Sequence, residues 1–233
     1  MRHRLANEMS RRRALAFGAL VLASALGVGM VAVRIAYTGS GEYRNMVWNL
    51  VLAWVPFVVA VGVYDRYGRG APAARLALPA LVWLLFLPNA PYLMTDFKYL
   101  AELDGAPIWY DVMLLTTFAW VGLLLGFGSL YLMHSVAARA VGAVGGWVAV
   151  GAVLALTAFG IYLGRFERWN SWDVVRNPAG LGGDLWAGLT NPFAYPRTVA
   201  VTLALSAFLS LGYLVLYSFL RLAAVEADER SGQ

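Results

Sequence analysis

Six apolar runs separated by short polar connections dominate this chain, and each run predicts a transmembrane helix. The hydrocarbon core of a bilayer is crossed by about 20 apolar residues in helical conformation. Hydropathy places such runs at roughly Ala14 to Ala36, Met46 to Tyr64, Leu76 to Met94, Tyr110 to Met133, Trp147 to Leu163 and Thr198 to Leu220. We therefore predict an all-α bundle of about six transmembrane helices. It forms a single transmembrane domain over residues 14–220, with a basic cytoplasmic tail at 1–13 and a short polar cytoplasmic tail at 221–233.

The third run differs from the others because polar residues and two prolines interrupt its end. Pro88 and Pro91 each remove a backbone donor and obstruct the preceding helical turn, so a broken third helix is expected. Non-helical backbone at membrane depth is tolerated only where protein or a watery cavity buries it. The polar residues of this break are therefore candidate site residues: Asn89, Tyr92, Thr95 and Asp96.

Composition supports the membrane class and excludes several chemistries. The chain is 61% hydrophobic and 13% charged, whereas a soluble domain is about half apolar and about a quarter charged. It has no cysteine, so disulfides and thiolate ligands are ruled out. It has two histidines, and neither of them belongs to the predicted outer face. We predict no metal and no cofactor. The excess of basic residues is spread between apolar runs, which indicates membrane topology rather than nucleic-acid binding.

The basic residues also predict the orientation. Arg11 to Arg13 precede an apolar run of about 20 residues, which is longer than the usual 7–15 of a signal peptide; a first transmembrane helix is favoured over a cleaved signal. With six spans, the side that holds the N-terminus carries 11 of the 18 Lys and Arg residues and the other side carries 7. Because basic residues are enriched in cytoplasmic loops, both termini are predicted to be cytoplasmic. The long loop before the last helix is then extracytoplasmic.

Charged residues of the second and fourth connections fall on that outer face. Asp96 and Asp111 bracket the second connection and are weak catalytic candidates, as an acid–base pair or as cation ligands, although either one can instead cap a helix. Arg165 and Arg168 are three residues apart and share a helical face, which suits phosphate or carboxylate binding. The alternative is a structural ion-pair network with the aspartates. The fourth connection adds a capping segment with an interfacial tryptophan: Asn170, Trp172 and Asp173.

These same residues carry a resemblance to a known family. The chain resembles the bacterial membrane family known as domain of unknown function 1361 in Leu87 to Tyr92 with Thr95 and Asp96, in Trp109 to Asp111, in Ser129, Leu130 and His134, and in Gly164 to Phe166 with Arg168 and Asn170 to Asp173. Lys98 and Tyr99 depart from the histidine-leucine pair expected of the family. The resemblance implies a multi-pass protein of the bacterial cytoplasmic membrane and, as the family name says, no established activity.

Three classes of function remain open from the sequence. A receptor or enzyme directed at lipid would bind an anionic head group or lipid-linked phosphate through Arg165 and Arg168. A scaffold or assembly protein would need only helix packing and ion pairs. A small-solute transporter would need ionisable residues deep in several spans, and the deep polar residues here are few and uncharged. We favour the first class, with membrane lipid as the partner.

Overall fold

The computed structural model describes residues 2–101, 105–167, 169, 176–177, 179–180, 183 and 196–231. Every regular element in these ranges is helical. The elements are α1 (Arg2–Thr38), α2 (Arg44–Gly68), α3 (Ala73–Phe86), α4 (Asn89–Tyr92), a 3₁₀ helix (Leu93–Ala101), α5 (Ile108–Phe166) and α6 (Pro196–Ser231).

Five helical stretches within the described ranges are long and apolar enough to cross a membrane, and the third of them joins α3, α4 and the 3₁₀ helix. They are Arg13–Thr38, Arg44–Gly68, Ala73–Leu100, Ile108–Phe166 and Pro196–Glu226. Length and apolar composition of this kind are the properties of a multi-pass membrane protein.

The segment predicted as the third span is divided among several elements. α3 ends at Phe86, Leu87 and Pro88 form a turn, and the single turn of α4 leads into the 3₁₀ helix. Pro88 lies in this turn and Pro91 lies within α4; neither has the backbone N–H that donates a helical hydrogen bond.

α5 is too long to be one membrane-crossing helix, and it is interrupted at Gly142. Its 59 residues would span about 89 Å as a continuous helix, about three times the hydrocarbon thickness. Gly142 has φ 84° and ψ 167°, which is not helical. The rings of His134 and Trp147 lie 4.7 Å apart, whereas 13 residues of straight helix would separate them by about 20 Å. The chain therefore turns back at Gly142, and the segments predicted as the fourth and fifth spans lie on either side of this turn.

Residue contacts divide the chain into two compact units. The first comprises Met1–Val55 and Asn89–Gly126, and the second comprises Pro56–Pro88 and Phe127–Gln233. In the first unit, Gly27 lies against the ring of Phe118, and Gly122 lies against the backbone of Ala90. In the second unit, Trp83 donates a hydrogen bond to Ser129, and Gly160 lies against the ring of Pro88.

An aromatic cluster around His134 packs the second unit. The Nδ1 atom of His134 lies 2.9 Å from the hydroxyl of Tyr213, and the rings of Trp147 and Tyr217 lie 4.7 and 5.3 Å from the imidazole. Ser129, Leu130 and His134, which belong to the resemblance motif, are all buried. Packing therefore accounts for these residues.

The close approach at Gly122 predicts a specific sensitivity to substitution. A Cβ atom there would overlap the carbonyl oxygen of Ala90, so Gly122→Ala should lower the free energy of unfolding by about 1–3 kcal/mol. Gly151 is the matched control, because it lies in the helical part of α5 beyond the turn at Gly142 and a Cβ atom there would have no neighbouring atom within 4 Å. Gly151→Ala should leave stability unchanged or raise it by up to about 1 kcal/mol. Thermal unfolding in detergent measures the stability of both variants. Equal changes in stability would contradict the close contact between Gly122 and Ala90.

Candidate functional site

A buried ion pair between Arg34 and Asp111 is the best-defined polar feature of the first unit. The Nε atom of Arg34 donates to Oδ1 of Asp111 at 2.7 Å, and Nη2 donates to Oδ2 at 3.2 Å. Only 1% of the Arg34 residue surface and 3% of that of Asp111 are exposed. Two parallel charge-assisted hydrogen bonds are the strongest geometry that a guanidinium and a carboxylate can form. The pair joins α1 to the first turn of α5.

Two neighbours complete the surroundings of the guanidinium. The ring of Tyr43 lies 4.3 Å from the guanidinium carbon, which is cation–π contact. Nη1 lies 3.8 Å from a carboxylate oxygen of Glu42, beyond hydrogen-bond distance. Nη1 is buried and has no hydrogen bond to any described residue. Glu42 is 54% exposed, so its contact with Arg34 is weak and screened by water.

Tyr43 is held in its neutral form by this environment. It lies in the turn between α1 and α2, and 2% of its surface is exposed. Burial, with a further contribution from the charge of Asp111, raises the pKa of Tyr43 to about 12. The charge of Asp96 also raises the pKa of Tyr43. The side chain of Asp96 is buried as well. We call Arg34, Glu42, Tyr43, Asp96 and Asp111 the Arg34 cluster.

The other candidates of the interrupted third segment also belong to the first unit. Asn89 begins α4 and is half-buried, as is Tyr92 at its end. The hydroxyl of Thr95 donates to the carbonyl oxygen of Tyr92 at 2.7 Å. This bond satisfies one of the carbonyls left without an intrahelical partner where α4 ends.

A second group of charged residues lies in the second unit, where α5 ends and α6 begins. Arg165 is half-buried in the last turn of α5. The ring of the next residue, Phe166, stacks on Tyr162 at 5.1 Å, and the guanidinium of Arg197 lies 4.6 Å from the ring of Phe166. Tyr162 donates a hydrogen bond to Glu167 at 3.2 Å. We call Arg165, Phe166 and Arg197 the arginine rim.

Four predicted site residues, Arg168, Asn170, Trp172 and Asp173, lie outside the described residues. The ion-pair network of Arg165 and these residues with the aspartates, which the sequence leaves open as an alternative, therefore stays a prediction. In the described ranges, no set of three His, Asp or Glu side chains is placed to hold a metal ion.

Comparison with known proteins identifies the family. The family model described as "Protein of unknown function (DUF1361)" matches residues 48–212, which is more than half of the chain. The chain belongs to this family. No curated protein and no solved structure matches it.

The region matched by the DUF1361 model contains only part of the charged groups. Asp96, Asp111, Arg165 and Arg197 lie inside it, whereas Arg34 lies before its first residue. The ion pair therefore links the matched region to the helix that precedes it.

Arg34 and Arg197 are the important residues that sequence reasoning missed. The sequence pattern places Arg34 only among the basic residues of the outer face, although it lies within the predicted first span. An arginine in an apolar run is costly unless it is paired, and this is the signal that could have identified it. Arg197 has no comparable signal, because it contacts Phe166, which is 31 residues away in the sequence.

The ion pair predicts that substitution of the buried Arg34 or Asp111 lowers the free energy of unfolding much more than substitution of the exposed Glu42. Arg34→Met leaves the carboxylate of Asp111 buried without its cation. Asp111→Ala leaves the guanidinium of Arg34 buried without its carboxylate. Each should lower the free energy of unfolding by about 3–5 kcal/mol. Glu42→Gln is the control within the same cluster and should cost less than about 1 kcal/mol. Unfolding titrations in mixed detergent micelles measure the three values, and equal losses in Arg34→Met and Glu42→Gln would contradict the assignment.

Proposed function

We propose that this DUF1361 protein binds an anionic lipid head group, or a lipid-linked phosphate, at the arginine rim. The observation that carries the proposal is the position of Arg197, whose guanidinium packs on the ring of Phe166, the residue that follows Arg165. Arg197 thus contacts the residue that follows Arg165 in the chain, and the two arginines lie at the ends of two helices that are long and apolar enough to span a membrane.

The chemistry of the rim suits an anion at the membrane surface. Guanidinium groups bind phosphate through paired hydrogen bonds, which an ammonium group cannot reproduce. Arg197 lies in the first turn of α6, where the helix dipole disfavours a cation. The helix dipole therefore does not account for this arginine, and its position supports the proposal of an anionic ligand. The sequence-predicted residues Arg168 and Trp172 extend the proposed site, the first as a further guanidinium and the second as an interfacial aromatic.

The Arg34 cluster does not support anion binding. Its one cation is already paired with Asp111, and two further carboxylates belong to the cluster. The proposed head-group site therefore does not include Asp96 and Asp111, which the sequence analysis had placed in it. They instead support the second candidate function, a scaffold or assembly protein in which ion pairs hold helices together. The observation that favours that candidate is the burial of the Arg34–Asp111 pair.

The proposal includes six spans with both termini in the cytoplasm of a bacterium. The reversal at Gly142 supports two crossings within α5, and the excess of basic residues on the N-terminal side supports the orientation. The arginine rim is then extracytoplasmic, at the level of the outer-leaflet head groups.

Cysteine labelling tests this topology directly, because the chain has no native cysteine. A cysteine introduced at Gly182 should react with a membrane-impermeant maleimide in intact cells. A cysteine at Ala74, in the exposed first turn of α3, should react only after permeabilisation. The reverse pattern, or labelling of both positions from the same side, would contradict six spans in this orientation.

Arginine substitutions test the head-group site. Arg165→Lys keeps the charge but removes the planar fork, and Arg197→Gln removes a charge; each should weaken binding of short-chain phosphatidylglycerol about two- to fivefold. Arg44→Gln is the matched control, since Arg44 is also exposed at the start of a span. Native mass spectrometry of the detergent-solubilised protein measures the binding. Unchanged binding in the folded Arg165 and Arg197 variants would favour the scaffold function instead.

A further inference from the structure

A cleft in the first unit differs in chemistry from the arginine rim. It has a volume of about 230 Å³ and is lined by the end of α1 and the start of α5, mainly with apolar and aromatic groups. An engineered cavity of roughly 150 Å³ holds a benzene molecule, and pockets for drug-sized ligands begin near 300 Å³. The cleft is therefore large enough for one small group and too small for a whole lipid.

Three aromatic side chains line this cleft. Tyr37 and Trp109 are 71% and 65% exposed, and Tyr110 is fixed by a hydrogen bond from its hydroxyl to the carbonyl oxygen of Met30 at 2.8 Å. The rings of Trp109 and Tyr110 meet edge to face at 5.7 Å. Aromatic rings attract cations over their faces, and cages of such rings recognise quaternary ammonium groups.

The charges beside the cleft also favour a cation. Arg34 lines the cleft, but its charge is compensated by the two hydrogen bonds to Asp111. Glu42 is not among the residues that line the cleft, but its carboxylate lies 3.8 Å from Nη1 of Arg34 and its side chain is 54% exposed. Arg34, Asp111 and Glu42 together carry a net charge of −1, so a phosphate is disfavoured here and an ammonium group is favoured.

We propose that this cleft binds the ammonium group of a zwitterionic phospholipid. The cleft lies where two candidate membrane-spanning segments end, which is the level at which head groups lie and at which exposed tryptophan and tyrosine are favoured. The lipid's ammonium contacts Tyr37 and Trp109, the carboxylate of Glu42 supplies the opposite charge, and the acyl chains stay in the bilayer. This site is independent of the arginine rim and selects the opposite charge.

Native mass spectrometry with two short-chain probes tests the proposal. Dihexanoylphosphatidylcholine carries the ammonium group, and dihexanoylphosphatidylglycerol lacks it. Trp109→Leu, Tyr37→Leu and Glu42→Gln should each weaken phosphatidylcholine binding about two- to tenfold and leave phosphatidylglycerol binding unchanged. Tetramethylammonium should compete with phosphatidylcholine, because it shares only the ammonium group.

Trp120→Leu is the matched control, because Trp120 lies on the same helix with 61% exposure and does not line the cleft. It should leave phosphatidylcholine binding unchanged. Tyr37 is so exposed that Tyr37→Leu tests the site even where Trp109→Leu fails to fold. Equal loss in Trp109→Leu and Trp120→Leu, unchanged binding in both Tyr37→Leu and Glu42→Gln, or the absence of competition by tetramethylammonium would overturn the proposal. Failure of the arginine rim would appear separately, as phosphatidylglycerol binding that Arg197→Gln does not alter.

Discussion

The buried ion pair between Arg34 and Asp111 constrains the first unit more than any other described contact. Each charge alone would cost several kcal/mol in an apolar environment, so each residue is stabilised there by the other. The two hydrogen bonds, at 2.7 and 3.2 Å, fix the orientation of both side chains. Because the partners are 77 residues apart, the pair sets how the end of α1 meets the start of α5. The stacking of Tyr43 and the shape of the adjacent cleft depend on that arrangement.

The Arg34 cluster and the arginine rim have opposite chemical character. The Arg34 cluster combines one cation with three carboxylates and a neutral tyrosine, whereas the arginine rim combines two arginines with the ring of Phe166. A protein that binds lipids can use both kinds of site, because anionic and zwitterionic head groups differ in net charge. Electrostatic sign therefore separates the two proposed sites more clearly than shape does.

Sequence patterns predicted the helical class because long apolar runs leave few alternatives to membrane helices. They also predicted the family, from motifs around Asp96, Asp111 and Arg165. They did not predict the partner of Asp111, because sequence distance carries no information on which of several arginines will reach a carboxylate. Nor did they predict the left-handed backbone at Gly142 as the turning point of α5, since several glycines nearby offer the same conformational freedom.

A double-mutant cycle on Arg34 and Asp111 tests the central claim most directly. The cycle compares Arg34→Met, Asp111→Met and the double variant by their free energies of unfolding in detergent micelles. If the pair is buried and bonded as described, the double variant should be more stable than the sum of the single losses implies, with a coupling free energy of about 2–3 kcal/mol. Losses that add to within about 0.5 kcal/mol would show that the two residues do not interact and would contradict the account.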